Sequence, residues 1–324
     1  MVLFDTIMKS NYIYKKIDIA RKVTLPEYYF TKLLILFDSN DEIRLYDIEN
    51  EFFNFLIDIL FPCISEDEIR NAVSCNDEYK SFVESSYAKD LPKDVLVRFN
   101  KHIKNDSFFQ PNNIQDRIRN ILSEENQATI NNSKSVIYDE QIKTICVNLR
   151  ESVRWGNEAR LLDINVASHS LTTSFMMYYL LADNGLYSNE KLSIKLFFKA
   201  FLHDVNEIFV GDIISSVKHL STNTEMYWRK IDKQSITNSK FINTDLTHKM
   251  NYYVNTCTKD INNICKLVDY INAFYECKLY LNRNFNCKNP KELREEIFSF
   301  YQKEELNQYI SEKTIIKTLE EGVL

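Results

Sequence analysis

The chain has 324 residues, 44% of them hydrophobic, and a formal net charge of −6. Only four Gly and five Pro occur, far fewer than turn-rich β sandwiches or barrels need. The balance of 40 basic against 46 acidic residues offers no excess of positive charge of the kind that duplex nucleic-acid binders display. We therefore expect an all-α protein of one large or two ordinary domains, with a small-molecule partner and no duplex nucleic acid.

Seven cysteines are scattered along the chain without a CxxC pair. Their odd number and irregular spacing indicate reduced thiols, not a disulfide framework or a zinc knuckle. The first residues lack the apolar core and the cleavage site of a signal peptide. The most apolar stretches, 33–37 and 52–61, are too short or too charged to span a bilayer. We expect a cytoplasmic protein without a membrane partner.

In chain order, the first hundred residues predict amphipathic helices, among them 51–60 and 91–104. Between about 105 and 134 the composition shifts to Asn, Ser, Gln and Asp, which indicates a linker around a short helix at 114–122. We therefore divide the chain into an N-terminal helical region of unknown role, residues 1–134, and a second domain, residues 135–324. The N-terminal region contains no motif with recognisable chemistry, so we interpret it as a scaffold or partner-binding module.

The second domain is strongly periodic and has glycines after several of its apolar runs, where helices commonly end. The pattern predicts helices over 139–153, 170–182, 191–209, 224–235, 246–256, 260–281, 291–302 and 304–321.

Histidine is scarce, which makes the surroundings of each of the five informative. His203 and Asp204 end the apolar run 196–202, and such a pair is costly to bury unless it is paired or bound to metal. Adjacent residues point roughly 100° apart on a helix, so further ligands must come from crossing helices. The candidates are His169, upstream, and Asp269, a carboxylate within an apolar helical segment. The other three histidines lack this context, and we treat them as non-ligands.

Two imidazoles and two carboxylates form a donor set that suits one divalent ion, namely Mn²⁺, Co²⁺, Fe²⁺, Zn²⁺ or Mg²⁺. Such an ion lowers the pKa of a bound water and polarises a phosphoryl oxygen. Glu207 is four residues after His203 and therefore on the same helix face, where it can handle the water or its proton. Asp212 follows Gly211 and can support the same water. The pattern predicts a metal-dependent phosphoester hydrolase.

A set of short motifs resembles the HD-domain 5′-deoxynucleotidases of the YfbR type over roughly residues 150–285. The motifs are Arg154-Trp155, Asn165-Val-Ala-Ser-His169-Ser-Leu, His203-Asp204-x-x-Glu207, Gly211-Asp212, Val217-Lys218 and Asp269. The resemblance implies a helical HD domain in which one divalent ion is held by His169, His203, Asp204 and Asp269. It also implies that Glu207 acts on the nucleophilic water, with Asp212 in support.

The resemblance further implies the parts that bind the substrate. Arg154 binds the phosphate as a charge-assisted fork, Trp155 packs against the sugar and excludes a 2′-hydroxyl, and Lys218 contacts the phosphate. The implied activity is release of phosphate from (deoxy)nucleoside 5′-monophosphates, by a type of enzyme that is often a homodimer. Ser168 departs from the family pattern, because these enzymes commonly have Glu there, so a carboxylate beside the site is missing.

Two other interpretations remain. The N-terminal region could reshape the pocket for a nucleoside triphosphate or a signalling nucleotide, which would suit a role in defence. Alternatively, the HD core could be a non-catalytic nucleotide-sensing module, although Glu207 and Asp212 argue against a site that only binds. A cyclic-dinucleotide phosphodiesterase of the HD-GYP kind is disfavoured, since no Gly-Tyr-Pro follows the motif.

Overall fold

A computed structural model describes most of the chain. The described residues are 3–16, 22–39, 42–61, 77–104, 112–122, 134–152, 164–210, 221–237, 244–281 and 290–320. Within them the protein is almost entirely helical, which confirms the predicted all-α class. Among these residues, no helix combines the length and the apolar character needed to cross a membrane.

The first half of the chain begins with a short helix and a two-stranded antiparallel hairpin. Its elements are α1 (Leu3–Lys9), β1 (Tyr14–Lys16), β2 (Lys22–Thr24), α2 (Leu25–Ser39), α3 (Leu45–Leu60), α4 (Asp77–Tyr87), α5 (Lys93–Lys104) and α6 (Asn112–Leu122).

The remaining elements are helical. They are α7 (Lys134–Glu151), α8 (Val166–Asp183), α9 (Glu190–Leu202), α10 (Glu207–Val210), α11 (Thr222–Thr237), α12 (Thr244–Asn255), α13 (Lys259–Leu281), α14 (Pro290–Lys303) and α15 (Glu312–Glu320).

Helix α8 lies at the centre of the molecule. The side chain of Asn165 caps its first turn by accepting a hydrogen bond from the Ser168 N–H at 2.9 Å. Gly185 follows its end in a left-handed conformation, which glycine adopts at little cost. Every residue from Val166 to Leu181 is buried, so all faces of this helix lie inside the core. Helices α1, α2, α7, α9 and α13 all pack against it.

The described residues before 134 contribute to the same hydrophobic core as those after it. Phe30 of α2 stacks on Phe201 of α9, with ring centroids 4.7 Å apart, and Phe55 of α3 contacts Phe175 of α8. Glu49 of α3 accepts a hydrogen bond from Tyr187 at 2.9 Å. The helices before residue 134 therefore cover α8 and α9, which are otherwise too apolar to face water.

His102 lies inside the N-terminal region, far along the chain from the predicted metal ligands. Its Nε2 is 3.0 Å from the side-chain oxygen of Asn54, and its side chain is buried. Burial, with a smaller contribution from the nearby Lys32 ammonium, lowers the pKa of His102 to about 4. This histidine is a neutral core residue, and it lies apart from the predicted ligands.

Two predicted helices are wrong in their extent. The helix predicted over 191–209 ends at Leu202, and a turn over 203–206 precedes α10. There, i→i−3 bonds such as Glu207 N–H to Asp204 O at 2.9 Å replace the helical pattern. The helix predicted over 304–321 is interrupted because Glu305 has a left-handed φ of 53°. Helix α15 then starts after Ser311, whose hydroxyl accepts from the Thr314 N–H.

Candidate metal centre

Three elements bring the predicted ligands together. Helix α8 carries His169 in its first turn, the turn after α9 carries His203 and Asp204, and helix α13 carries Asp269. Both α9 and α13 pack against α8, so side chains that are distant in sequence meet where these elements cross. The turn over 203–206 matters, because it directs two adjacent residues to one point, which the backbone of a straight helix disfavours.

Four potential ligand atoms lie close to one another. His169 Nε2 is 3.3 Å from His203 Nε2 and 3.0 Å from Asp269 Oδ1. Asp204 Oδ2 is 3.0 Å from His203 Nε2 and 3.7 Å from His169 Nε2. One atom from each of His169, His203 and Asp269 falls within 4.8 Å of the others.

The Nδ1 atoms of both imidazoles point away from the cluster and form hydrogen bonds with other residues. His169 Nδ1 is 2.9 Å from Glu276 Oε1, and His203 Nδ1 is 2.7 Å from the carbonyl oxygen of Ala200. A carboxylate and a carbonyl accept hydrogen bonds, so each Nδ1 carries a proton and each ring turns its Nε2 toward the centre. Two unprotonated Nε2 atoms and two carboxylate oxygens would repel one another unless a cation lay among them.

The pKa of His203 reflects this concentration of acceptors. Burial disfavours the charged imidazole, but the neighbouring carboxylates of Asp204 and Asp269 outweigh burial and hold the pKa of His203 well above its ordinary value. In the protein without metal, a proton on His203 therefore partly neutralises the site. A divalent ion would displace that proton, as metal binding to histidine generally does.

The distances fit a small divalent ion. Nitrogen and oxygen ligands bind such ions at about 2.0–2.2 Å, so two ligands at tetrahedral or octahedral angles are roughly 3.0–3.5 Å apart. The closest separations in the cluster, 3.0 and 3.3 Å, fall in this range. The residues present therefore suit one ion, with positions left for water and substrate.

Glu207 lies beside the ligands, although not for the reason that its spacing suggested. It does not share a helix with His203, because it starts the separate helix α10. Its backbone N–H bonds to the carbonyl of Asp204, and its side chain is buried. The buried carboxylate thus directly follows the turn that carries two of the ligands.

A second buried carboxylate, Glu27 of α2, joins the N-terminal region to the start of α8. Glu27 Oε1 accepts from Asn165 Nδ2 at 2.6 Å and from Arg150 Nε at 3.2 Å. Its Oε2 accepts from the Thr24 hydroxyl at 2.9 Å, and that hydroxyl is 3.2 Å from Ser168 Oγ. A carboxylate missing at position 168 is therefore present nearby, supplied by another part of the chain.

The sequence contains a capping-box pattern at Glu27 that our prediction did not use. Thr24 and Glu27 form a capping box at the start of α2, since the Thr24 N–H donates to Glu27 Oε2 at 2.6 Å and the Glu27 N–H approaches the Thr24 hydroxyl at 3.4 Å. The T-x-x-E pattern before an apolar run predicts this helix start. It does not predict that the same carboxylate also reaches Asn165 and Arg150.

The change Glu27→Ala is expected to lower the free energy of unfolding by about 2 kcal/mol, because it leaves Arg150 and the Asn165 amide without their charged acceptor. Urea denaturation followed by circular dichroism measures the effect. Glu42→Ala, at an exposed position of the same region, is the matched control and should leave the midpoint unchanged. An unshifted midpoint for Glu27→Ala would show that this network is not stabilising.

Several predicted site residues lie outside the described part of the chain. These are Arg154, Trp155, Asp212 and Lys218, and their roles stay predictions. His219, treated as a non-ligand, also lies outside it, whereas His248 is exposed on α12. The described site therefore consists of His169, His203, Asp204 and Asp269, with Glu207, Glu276 and Glu27 around them.

Comparison with known families gives a match over the second half of the chain. Residues 143–314, more than half of the chain, match the family described as 5′-deoxynucleotidase YfbR-like. No curated protein matches the chain significantly. The matched segment contains α8, α9 and α13, which carry the clustered histidines and aspartates. The chain therefore belongs to the YfbR-like 5′-deoxynucleotidase family, a family of HD-domain hydrolases.

Proposed function

We propose that the chain is a divalent-metal-dependent phosphohydrolase that releases phosphate from (deoxy)nucleoside 5′-monophosphates. The observation that carries the proposal is the convergence of His169 Nε2, His203 Nε2, Asp204 Oδ2 and Asp269 Oδ1. Asp204 Oδ2 and Asp269 Oδ1 each lie 3.0 to 3.8 Å from the two imidazole Nε2 atoms, a spacing that suits ligands of one ion. Membership of a 5′-deoxynucleotidase family supports the choice of substrate.

The four residues would hold the ion, and Glu207 would transfer a proton from the attacking water to the leaving group. An ion bound there would lower the pKa of a water and polarise a phosphoryl oxygen. Glu207, buried and next to the ligand turn, accepts a proton from the attacking water as its oxygen bonds to phosphorus. When the bond to the 5′-oxygen breaks, the same carboxyl returns that proton to the leaving alkoxide.

Substrate recognition rests on the residues carried over from the family resemblance. Arg154 binds the phosphate through its planar guanidinium, with Lys218 as a further contact. Trp155 packs on the sugar face that carries no 2′-hydroxyl, which gives the preference for deoxyribonucleotides, and Asp212 supports Glu207.

A phosphate-release assay tests the proposal. The purified protein is incubated with nucleoside mono-, di- and triphosphates, both ribo and deoxy, with Mn²⁺, Co²⁺, Fe²⁺, Zn²⁺ or Mg²⁺ in turn. We expect inorganic phosphate and a nucleoside from deoxynucleoside 5′-monophosphates, and no product after chelation of the metal. Nucleotide binding without phosphate release under any metal would instead identify a sensing module.

The same assay tests whether the substrate is a nucleoside triphosphate or a signalling nucleotide. The N-terminal region reaches the residue next to a proposed ligand, since the hydroxyls of Thr24 and Ser168 are 3.2 Å apart. This proximity favours a role of that region in shaping the pocket. Turnover confined to triphosphates or signalling nucleotides would support this second function over the monophosphatase.

A further inference from the structure

Glu276 is a buried carboxylate to which neither the motifs nor the proposed mechanism gives a role. It lies on α13 seven residues after Asp269, so the two side chains lie two turns apart on the same helix face. Its side chain is only 1% exposed. An isolated carboxylate at such a depth is strongly destabilising unless it is paired. It contacts His169, whose Nδ1 is 2.9 Å from Glu276 Oε1.

A neighbouring amide fixes the position of this carboxylate. Asn272, one turn before Glu276, is fully buried between α13 and α8. With its amide oriented so that both ends are satisfied, its nitrogen donates to Glu276 Oε1 at 3.2 Å. Its oxygen then accepts from the hydroxyls of Thr172 and Thr173 at 2.9 and 2.7 Å. Both threonines follow His169 on α8, so the amide ties the carboxylate to the helix that carries the imidazole.

The two histidines of the site are therefore held differently. His203 donates its Nδ1 proton to a neutral backbone carbonyl, that of Ala200. His169 donates to a charged carboxylate in a dry environment, where a charge-assisted hydrogen bond is stronger. A carboxylate behind an imidazole fixes the ring, retains the proton on Nδ1 and makes Nε2 a better metal donor.

We propose that Glu276 is a positioning residue that holds His169 in the tautomer and orientation needed to bind the metal ion. Glu276 acts through His169 and does not touch substrate. The proposal rests on the metal site of the proposed function, but not on the identity of the substrate. It adds a carboxylate–histidine–metal unit that spans α13 and α8.

The substitution Glu276→Gln tests the proposal, because glutamine keeps the size of the side chain and removes its charge. We expect the dissociation constant for Mn²⁺ or Co²⁺, measured by isothermal titration calorimetry, to increase by about 10- to 100-fold. Glu295→Gln, at an exposed position on α14, is the matched control and should bind metal as the unaltered protein does.

A second measurement separates positioning from general stability. In the Zn²⁺-loaded protein, the His169 Nδ1 proton bonded to a carboxylate should resonate far downfield, and in Glu276→Gln it should move upfield. If Glu276→Gln does not fold, Glu276→Asp carries the same test, because it keeps the charge but lengthens the bond to His169. We expect it to weaken metal binding and to shift the same proton.

The outcomes distinguish this inference from the proposed function. Unchanged metal affinity in Glu276→Gln, even with a lower melting temperature, would overturn the positioning role while the phosphohydrolase stands. Metal binding that depends on Glu276 in a protein without phosphate release would support the positioning role and contradict the proposed function. An unaltered protein that binds none of these ions would overturn both.

Discussion

Replacement of Asp269 by alanine is expected to abolish metal binding and to lower kcat/KM for phosphate release by about 10³-fold, or roughly 4 kcal/mol of transition-state stabilisation. The reason is geometric, since Asp269 Oδ1 is 3.0 Å from His169 Nε2 and 3.8 Å from His203 Nε2. Its loss leaves one carboxylate to balance a divalent charge. Asp204→Ala should behave in the same way, because Asp204 Oδ2 contacts both imidazoles.

Metal content by mass spectrometry and steady-state kinetics, measured on the same preparation, test this prediction. Asp245→Ala is the matched control, at an exposed position in the first turn of α12, and should retain both metal and activity. If Asp269→Ala bound one ion per chain with unchanged affinity, the ligand assignment would be wrong. Loss of activity with metal retained would instead assign Asp269 a role in the chemical step.

The change Glu207→Gln should separate chemistry from metal binding. We expect the variant to bind metal normally and to lose about 10²- to 10⁴-fold in kcat, the usual contribution of a general acid–base group. Glutamine has the shape of glutamate but cannot accept the proton of the attacking water. The position supports this separation, because Glu207 adjoins the turn through its backbone bond to Asp204 and is not one of the four proposed ligands.

Single-turnover kinetics and metal titration provide the measurement for Glu207, with Glu295→Gln again as the matched control. A variant with a near-normal rate would show that another group handles the proton, and Asp212 would be the next candidate.

The sequence was sufficient to predict which histidines and aspartates come together, because histidine is so scarce in this chain. With five histidines in all, a His-Asp pair at the end of an apolar run was conspicuous, and so was an aspartate within an apolar helix. The break after Leu202 was not predicted. No Gly or Pro marks it between Leu202 and Glu207. The weak helix propensity of His203, Asp204, Val205 and Asn206 is a much less specific signal for the end of a helix.

The supporting carboxylates were missed for a different reason. Glu276 and Glu27 look like the solvent-facing acids of ordinary amphipathic helices, and only the packing of α2 and α13 against α8 buries them. The spacing of seven residues between Asp269 and Glu276 indicates that both carboxylates share one helix face. The sequence carries no comparable signal for the hydrogen bond between Glu27 and Asn165, because these residues are 138 positions apart. Long-range polar contacts of this kind depend on helix packing that periodicity does not specify.

The enclosure of α8 links the metal to the stability of the whole protein. Because every residue from Val166 to Leu181 is buried, the backbone amides of this helix can exchange hydrogen with solvent only when most of the molecule opens. A metal ion that binds His169 binds only the folded chain. At a concentration a hundredfold above its dissociation constant, the ion raises the free energy of unfolding by about 2.7 kcal/mol. The ion would therefore slow exchange along α8 and in the N-terminal helices that cover it.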